Sequence, residues 1–297
     1  SVGNVIDPID IIDGCELQTL IAKRLKDSRA GDDKKKIKAI ENTTKKQFPE
    51  GIPSCGTDAL RFTLASQAAQ GRDIRLSIDR VVGYRNFGTK LWNAARFCQM
   101  NECALWEQDD FDPTQVQFTL NKWIVSEVAK TAADVTRNIE EYRFNDASSA
   151  IYKFTWNVFC DWYLELMKPL LNGEDEAAKA ETRKTAAWTL NQIIHLLHPF
   201  MPFITEELWQ RLNEIAPERG LFTPEQAAES IMIAPWPEPP PSWQDSQLEK
   251  RFERLQEMIV AVRNIRAVYK ISPSTPLKLF LRCEANVADD MQNVAGQ

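Results

Sequence analysis

In most of this chain, residues of core type recur every three or four positions, and this spacing restricts the possible fold more than any other feature of the sequence. The clearest run covers 117–142 and places on one helix face Leu120, Ile124, Val128, Thr131, Val135, Ile139 and Tyr142. The same spacing predicts helices over 80–101, 145–171, 174–197, 203–213 and 245–270. Long helices with short connections pack as antiparallel neighbours, so we predict a mainly α fold, a helical bundle.

Three stretches interrupt this pattern. Residues 1–57 open with an extended apolar stretch and two short helical segments, around 16–26 and 33–46, before the Pro- and Gly-rich FPEGIPSCG at 48–56. We predict a small mixed α/β segment there, followed by a helix that Thr57 or Asp58 caps. Residues 217–243 are rich in proline and predict an extended crossing, and PLKLFLRCE at 276–284 alternates like a strand.

The charge of the chain is unevenly distributed. A formal net charge of −6 argues against a nucleic-acid partner. However, residues 71–100 carry six basic and two acidic side chains, 23–46 carry ten and four, and 258–283 carry five basic and no acidic ones. Such basic stretches can bind a polyanion despite a negative total. The Lys-rich segment at 26–48 therefore has two readings, a solvated helix face or a contact with an RNA backbone.

Cysteine usage and hydropathy indicate the compartment. The six cysteines form no CxxC pair and are spread along the chain, which is typical of a reduced, cytoplasmic protein. No apolar run reaches the roughly 20 residues that a membrane span needs, so we expect no membrane partner.

The segment GYRNFGTKLWNAARF at 83–97 combines cations with large aromatics. On a helical wheel its predicted core arc contains Tyr84, Phe87, Leu91, Ala95 and Cys98. The opposite face contains Arg85, Asn86, Thr89, Lys90, Asn93, Arg96 and Phe97. Arg and Lys bind phosphate, Asn reads base edges and a Phe ring stacks on an unpaired base, so this face suits RNA. A surface helix of mixed charge, with Phe97 covered by a neighbouring helix, would give the same spacing, and that alternative stays open.

Other chemistry-bearing residues have simpler explanations. His195 and His198 form an HxxH pair without a third histidine, which favours a helix end over a zinc site. The runs FTWNVFCDWYLELM and HPFMPFITEELW have the spacing of buried core, with Ile151, Phe154, Val158, Trp162 and Leu166 on one face. The carboxylates lack a paired nucleophile, and they are Asp161, Glu165, Glu206 and Glu207. We therefore predict no catalytic residue and no metal site in this chain.

Several blocks of the chain resemble the valyl-tRNA synthetase family, a class I aminoacyl-tRNA synthetase family, in the order that the family has them. They are FPEGIPSCGTDALRFTLA, GRDIRLSIDRVVGYRNFGTKLWNAARF, FTWNVFCDWYLELMKP, LHPFMPFITEELW and AVRNIRAVYKISPSTPL. The opening SVGNVIDPIDIIDG resembles the stretch that completes and follows the Lys-Met-Ser-Lys-Ser loop of class I enzymes. These blocks extend over almost all 297 residues.

The resemblance implies a segment of a larger enzyme, valine–tRNA ligase, which attaches valine to tRNA(Val) using ATP with magnesium in a catalytic domain outside this chain. It implies a stem-contact segment over 1–57, a helical anticodon-binding domain over 58–272 and, over 273–297, the start of a link to a C-terminal arm. The expected partners are tRNA(Val) and, in cis, the remainder of the synthetase. We expect a monomer, with no cofactor bound to this segment itself.

The resemblance also implies a set of tRNA-binding side chains. They are Arg75, Arg80, Arg85, Asn86, Lys90, Asn93, Arg96, Phe97, Arg263 and Arg266. Phe97 is the stacking candidate. Family members more often carry Asn where Thr89 stands and a basic residue where Asp79 stands, which puts contacts there in doubt. Two competing interpretations are a helical protein-interaction module without an RNA role and a free-standing metal hydrolase built on the HxxH pair.

Overall fold

The predicted helical bundle is present in the computed structural model of the chain, which describes residues 6–28, 33–69, 74, 76–103, 111–219, 221, 225–272, 274–278, 280, 282 and 287–288. The N-terminal helices are α1 (Pro8–Ile12), α2 (Leu17–Asp27) and α3 (Lys34–Gln47). The bundle begins with α4 (Thr57–Gln67), α5 (Ile78–Met100), α6 (Thr119–Glu140) and α7 (Phe144–Lys153). It continues with a π-helical segment (Phe154–Tyr163), α8 (Leu164–Leu166), α9 (Lys168–Asn172), α10 (Glu176–Leu197), α11 (Pro202–Ile215) and α12 (Ser246–Val268).

The N-terminal helices pack on the bundle through a small core of their own. This core joins Ile11, Leu20 and Ile52 to Leu60 of α4 and Val81 of α5. The extended opening predicted from the sequence was wrong over 8–12, which form α1, and residues 1–5 lie outside the described part of the chain. Among the described residues of this segment, extended pairing is limited to one antiparallel bridge between Cys15 and Ile52. Gly51 beside it has φ +81°, and a Cβ there would lie 2.4 Å from the carbonyl oxygen of Cys15, so only glycine fits. The N-terminal segment is thereby held against the first half of α5.

The main core lies where α5, α6, α7 and α10 meet. Phe87, Ile124, Ile151 and Ile193 are fully buried there, one from each helix. On α6 the predicted face is buried through Val135, but Tyr142 is 74% exposed. The prediction fails at Tyr142 because the chain leaves the helix at Glu140 and Tyr142 adopts a left-handed φ of 56°.

The predicted helix over 145–171 is interrupted by the π-helical segment, and this changes which residues are buried. Each π turn holds one residue more than an α turn, so the buried face advances by five residues from Phe154 to Phe159 and then continues to Tyr163 and Met167. The buried face predicted from α-helical spacing, through Val158, Trp162 and Leu166, was wrong by one residue. These three side chains are only half-buried.

The helix that starts at Thr57 is capped differently from the prediction. Gly56 occupies its N-cap position and no side chain caps it. Asp58 instead accepts hydrogen bonds from the backbone N–H groups of Phe203 (3.2 Å) and Ile204 (2.7 Å) in the first turn of α11. One carboxylate therefore satisfies the N-terminus of a helix more than 140 positions away, and it fixes α11 to α4.

The Pro-rich stretch crosses the bundle between α11 and α12, as predicted. It contains a short antiparallel hairpin, β1 (Glu218–Arg219) with β2 (Glu225–Gln226), and two 3₁₀ turns at Ile231–Ile233 and Pro241–Trp243. The indole of Trp236 anchors the crossing by donating to the Thr136 hydroxyl of α6 at 2.9 Å.

Of the strand predicted over 276–284, residues 276–278, 280 and 282 are described and none is in a strand, while 279, 281, 283 and 284 lie outside the described residues. None of the described helices combines the length and the apolar character that crossing a bilayer requires.

Candidate nucleic-acid interface

Helix α5 has the two faces that its sequence predicts. Phe87, Leu91 and Cys98 are buried, and Tyr84 and Ala95 are half-buried beside them. The polar face is exposed at Arg85, Asn86, Thr89, Asn93 and Arg96, and Arg80 is exposed in the first turn of the helix. A helix packed on one side against α4, the π-helical segment, α10 and α11 therefore presents cations and amides together on its other side.

Four predicted side chains of α5 are unengaged within the described part of the chain. Arg80, Asn86, Asn93 and Arg96 are exposed, and none has a hydrogen bond or an ion pair from its side chain to another described residue. Arginine and asparagine without internal partners can bind phosphate oxygens and base edges without first breaking a contact. These four residues are the accessible part of the predicted site.

Arg85 and Lys90, also predicted, are already engaged within the protein. Arg85 donates from Nη1 to the carbonyl oxygen of Ser54 at 2.9 Å and so ties α5 to the N-terminal segment. Lys90 forms an ion pair with Asp161, and its Nζ lies 4.2 Å from the centroid of the Trp156 ring. Binding of a phosphate by Lys90 would have to compete with Asp161.

Phe97 is less accessible than the helical wheel predicts. Its ring is half-buried and packs against the main core, and the Nζ of Lys168 lies 5.6 Å from the ring centroid. The wheel places Phe97 outside, but α9 begins beside it and covers part of the ring. Only the part of the ring that remains exposed is available for stacking on a base.

Two tryptophans that sequence spacing assigned to the core belong to this surface. Trp156 and Trp162 of the π-helical segment are half-buried, and each ring faces a cation. Lys90 lies over Trp156, and the guanidinium carbon of Arg263 from α12 lies 5.4 Å from the Trp162 centroid. A π segment cannot be recognised from α-helical spacing, and the only sequence signal was the polar pair Asn157 and Asp161 beside the two rings. We call the group Asn86, Lys90, Asn93, Trp156, Asp161, Trp162 and Arg263 the α5–π surface.

The remaining two predicted residues are Arg266, which is engaged within the protein, and Arg75. Arg266 donates to the carbonyl oxygens of Ser272 (2.6 Å) and Thr275 (2.9 Å), so it closes the end of α12 and is not a free cation. Arg75 lies outside the described residues.

A second basic surface lies on α3 of the N-terminal segment. Its exposed lysines are Lys34, Lys35, Lys36, Lys38, Lys45 and Lys46. Within the described residues their one ion pair joins Lys36 to Asp33 at 3.8 Å. This face presents a dense positive charge without aromatic residues, a combination that binds a nucleic-acid backbone without reading bases.

The two histidines do not converge on one point. The Nδ1 of His195 contacts the carbonyl oxygen of Asn191 at 2.7 Å, whereas the Nδ1 of His198 contacts the Thr205 hydroxyl at 2.7 Å. Over the ranges that the structure describes, no three His, Cys, Asp or Glu side chains are grouped as a metal site requires.

Comparisons with known proteins agree with a nucleic-acid role. Residues 121–281 match the family described as the anticodon-binding domain of tRNA ligase. A valine–tRNA ligase of Caulobacter vibrioides is 54% identical over 223 residues, which cover 75% of this chain and 24% of that enzyme. Valine–tRNA ligases of Chromobacterium violaceum and Laribacter hongkongensis are 42% and 43% identical over 97% of this chain, which matches 30% of their length. The chain thus spans less than a third of the length of these relatives.

One solved structure also aligns with the chain. It is the ternary complex of Agrobacterium radiobacter K84 agnB2 LeuRS-tRNA-LeuAMS, with 18% identity and a TM-score of 0.44 over 63% of this chain and 20% of that one. A similarity of this size adds nothing to the description of the fold or the site.

Proposed function

The chain belongs to the anticodon-binding domain family of tRNA ligases, and on that premise we propose that it binds tRNA(Val) by the anticodon arm as part of a longer valine–tRNA ligase. The single observation that carries the proposal is the α5–π surface. There, accessible amides and cations lie beside partly exposed aromatic rings within a chain of negative net charge.

The α5–π surface supplies each of the contacts that an unstacked loop requires. Asn86 and Asn93 offer both donor and acceptor groups to base edges, and Arg96, one turn of α5 beyond Asn93, offers charge to phosphates beside this surface. The rings of Trp156 and Trp162 provide flat apolar faces for bases. Because lysine and arginine already lie over these rings, a base entering there would displace a cation that is then free for the adjacent phosphate.

The lysine face of α3 supports a second, sequence-independent contact. In this proposal the segment 1–57 contacts the tRNA stem, residues 58–272 read the anticodon arm, and 273–297 lead to a C-terminal arm. Activation of valine with ATP and magnesium belongs to parts of the parent enzyme outside this chain, and no residue here is assigned to catalysis. We further propose that the protein is monomeric and acts in the cytoplasm.

Affinity measurements with defined tRNAs test the proposal. The chain is titrated with a tRNA(Val) transcript and with the same transcript altered at the middle anticodon base, each at several salt concentrations. We expect log K to fall linearly with log salt, because phosphate contacts release counterions, and the altered transcript to bind more weakly at every salt concentration. Equal affinity for all tRNAs would refute anticodon reading. No measurable binding to any tRNA would favour a protein-interaction module.

A further inference from the structure

Helix α5 ends in a tight cap that does not use glycine. The backbone N–H of Glu102 donates to the carbonyl oxygen of Gln99 at 3.1 Å, and that of Cys103 donates to the carbonyl oxygen of Cys98 at 2.9 Å. Glu102 has a left-handed φ of 57°. This pair of hydrogen bonds is the Schellman arrangement, in which the residue after the left-handed one contacts the residue five positions earlier.

In this chain the two residues that the Schellman arrangement brings together are both cysteines. Cys98 and Cys103 are 2% and 7% exposed; the Cys98 thiol donates toward Cys103, whose own thiol donates to the carbonyl oxygen of Asn101 at 3.9 Å. Both also line a cavity of about 100 Å³ whose other walls include Gln99, Glu102 and Ile215. A cavity of this size admits a few water-sized molecules beside the two cysteines.

From this juxtaposition we propose that Cys98 and Cys103 form a peroxide-oxidisable dithiol, which closes to an intramolecular disulfide at the end of α5. The thiolate of one cysteine attacks an oxygen of hydrogen peroxide, the O–O bond breaks, and a sulfenic acid and water form. The second thiol then attacks the sulfenic sulfur, an S–S bond forms, and a second water leaves. In total, two thiols and one peroxide give one disulfide and two waters, so the two electrons and two protons balance.

The surroundings of the two thiols assign an order to these steps. The hydrogen bond that the Cys98 thiol donates to Cys103, together with burial, raises the pKa of Cys98 well above its ordinary value, so Cys98 is seldom a thiolate. Cys103 is the more exposed of the two and is therefore the thiol that attacks peroxide. Cys98, held in contact with it by the cap, resolves the sulfenic acid.

Cys160 is a competing thiol, close enough to act electrostatically on Cys98. It lies in the π-helical segment, and burial raises its pKa to about 12. No hydrogen-bonded turn joins its backbone to that of Cys98, and the raised pKa keeps it protonated at neutral pH. The cap therefore selects Cys103 as the partner of Cys98. This inference rests on the end of α5 alone and does not depend on the proposed tRNA binding.

Mass spectrometry of the 297-residue chain tests the pair directly. The folded chain is treated with hydrogen peroxide, remaining thiols are alkylated under denaturing conditions, and the protein is digested with trypsin. Cleavage after Arg96 and Lys122 leaves both cysteines in one peptide, residues 97–122. We expect this peptide to escape alkylation at both cysteines and to weigh about 2 Da less than the dithiol form, and a thiol reductant to restore it.

The same peptide contains an internal control. Met100 is 77% exposed and gains about 16 Da as the sulfoxide when peroxide is active. Oxidised Met100 together with two alkylated cysteines would overturn the proposal, and so would a disulfide that includes Cys160 or Cys283. We expect Cys160→Ser to retain the link and Cys98→Ser to abolish it. The measurement on the unaltered chain decides the matter even if a serine variant fails to fold.

Discussion

At the scale of single residues, Asp161 is the side chain that restrains the candidate interface. It holds Lys90 in an ion pair over the Trp156 ring, and both partners of the pair are partly exposed. Asp161→Asn removes a negative charge from the surface and frees Lys90 for phosphate. We expect tRNA affinity to rise about two- to fivefold, and the slope of log K against log salt to steepen by about 0.7 to 0.9.

This effect is measured by titrating the unaltered chain and Asp161→Asn with tRNA(Val) over the same salt range. Asp134→Asn is the matched control, because it removes the same charge from an ion pair with Arg137 on α6, away from the α5–π surface. Weaker binding by Asp161→Asn would show that Asp161 itself contacts the RNA, contrary to the role assigned here.

Phe97 was predicted to be exposed, but the structure shows it half-buried, so its role in stacking needs a direct test. Phe97→Leu preserves most of the packing against the core but removes the flat ring. If the exposed part of the ring stacks on a base, affinity for tRNA(Val) should fall about fivefold, near the lower limit for one stacked base because the ring is only partly exposed.

Fluorescence titration measures the change, with Phe144→Leu as the control, since Phe144 is 38% exposed at the start of α7 and lies outside the α5–π surface. Unchanged affinity of Phe97→Leu would remove Phe97 from the interface and leave the two tryptophans as the stacking residues.

Residue roles were only partly predictable from the sequence. The exposure of Asn86, Asn93 and Arg96 follows from helical phase alone, and the structure confirms it. The engagement of Arg85 with Ser54 and of Lys90 with Asp161 does not follow, because each contact joins positions at least 31 apart in the chain. A wheel describes one helix and cannot show what a neighbouring element places against it.

At the scale of elements, Asp58 tests how α11 is held against α4. Asp58→Asn leaves one acceptor oxygen for the two N–H groups of Phe203 and Ile204 and turns an amide donor toward them. We expect the free energy of unfolding to fall by about 1 kcal/mol, as for loss of a helix cap.

Urea denaturation measures this change. Asp13→Asn is the control, since Asp13 is exposed and its side chain has no hydrogen bond within the described residues. Equal urea midpoints for Asp58→Asn and Asp13→Asn would show that the Asp58 carboxylate does not stabilise the junction of α4 with α11.

The junction of α10 and α11 also predicts a pH dependence. Burial lowers the pKa of His198, despite the opposing influence of Glu206 and Asp58, and Arg61 lowers it further. A lowered folded-state pKa means that the neutral imidazole stabilises the fold above the unfolded pKa, near 6.5, and that this stabilisation is lost as pH falls below it. His198 contacts the Thr205 hydroxyl and the Met232 sulfur, so protonation would leave a charge among poorly suited partners.

We therefore expect the unfolding free energy of the unaltered chain to fall more between pH 7.5 and about 5.5 than that of His198→Gln. Urea titrations at the two pH values provide the comparison. Parallel losses in the two proteins would assign the acid sensitivity to other groups.

Element positions were more predictable than element geometry. Helices α5, α6, α10, α11 and α12 lie within a few residues of their predicted bounds, because each carries a long apolar stripe and ends at a Pro, a Gly or a polar break. The π-helical segment was missed because one extra residue per turn alters the phase without altering the composition. The error mattered, since it moved Trp162 from the predicted core to the surface.

At the scale of the whole molecule, the arrangement of charge explains how an acidic chain can bind RNA. Positive charge is concentrated on α3 and on the polar face of α5, whereas the net charge of −6 arises elsewhere along the sequence. The long-range field therefore favours approach by these two faces and disfavours the others. The existence of the two basic faces was predictable from local charge. The packing of the N-terminal segment, which carries α3, against α5 was not predictable, because the small core of Ile11, Ile52 and Val81 joins residues that are distant in sequence.

Chemical probing of a tRNA(Val) transcript bound to the chain tests the central claim most directly. With the chain in excess at low salt, we predict protection of the anticodon loop, with weaker protection of backbone positions in a stem contacted by α3. Combined Asn93→Ala and Arg96→Ala substitutions should remove the loop protection and retain the stem protection. Protection confined to the acceptor end, or a loop that reacts equally with and without the chain, would contradict the account.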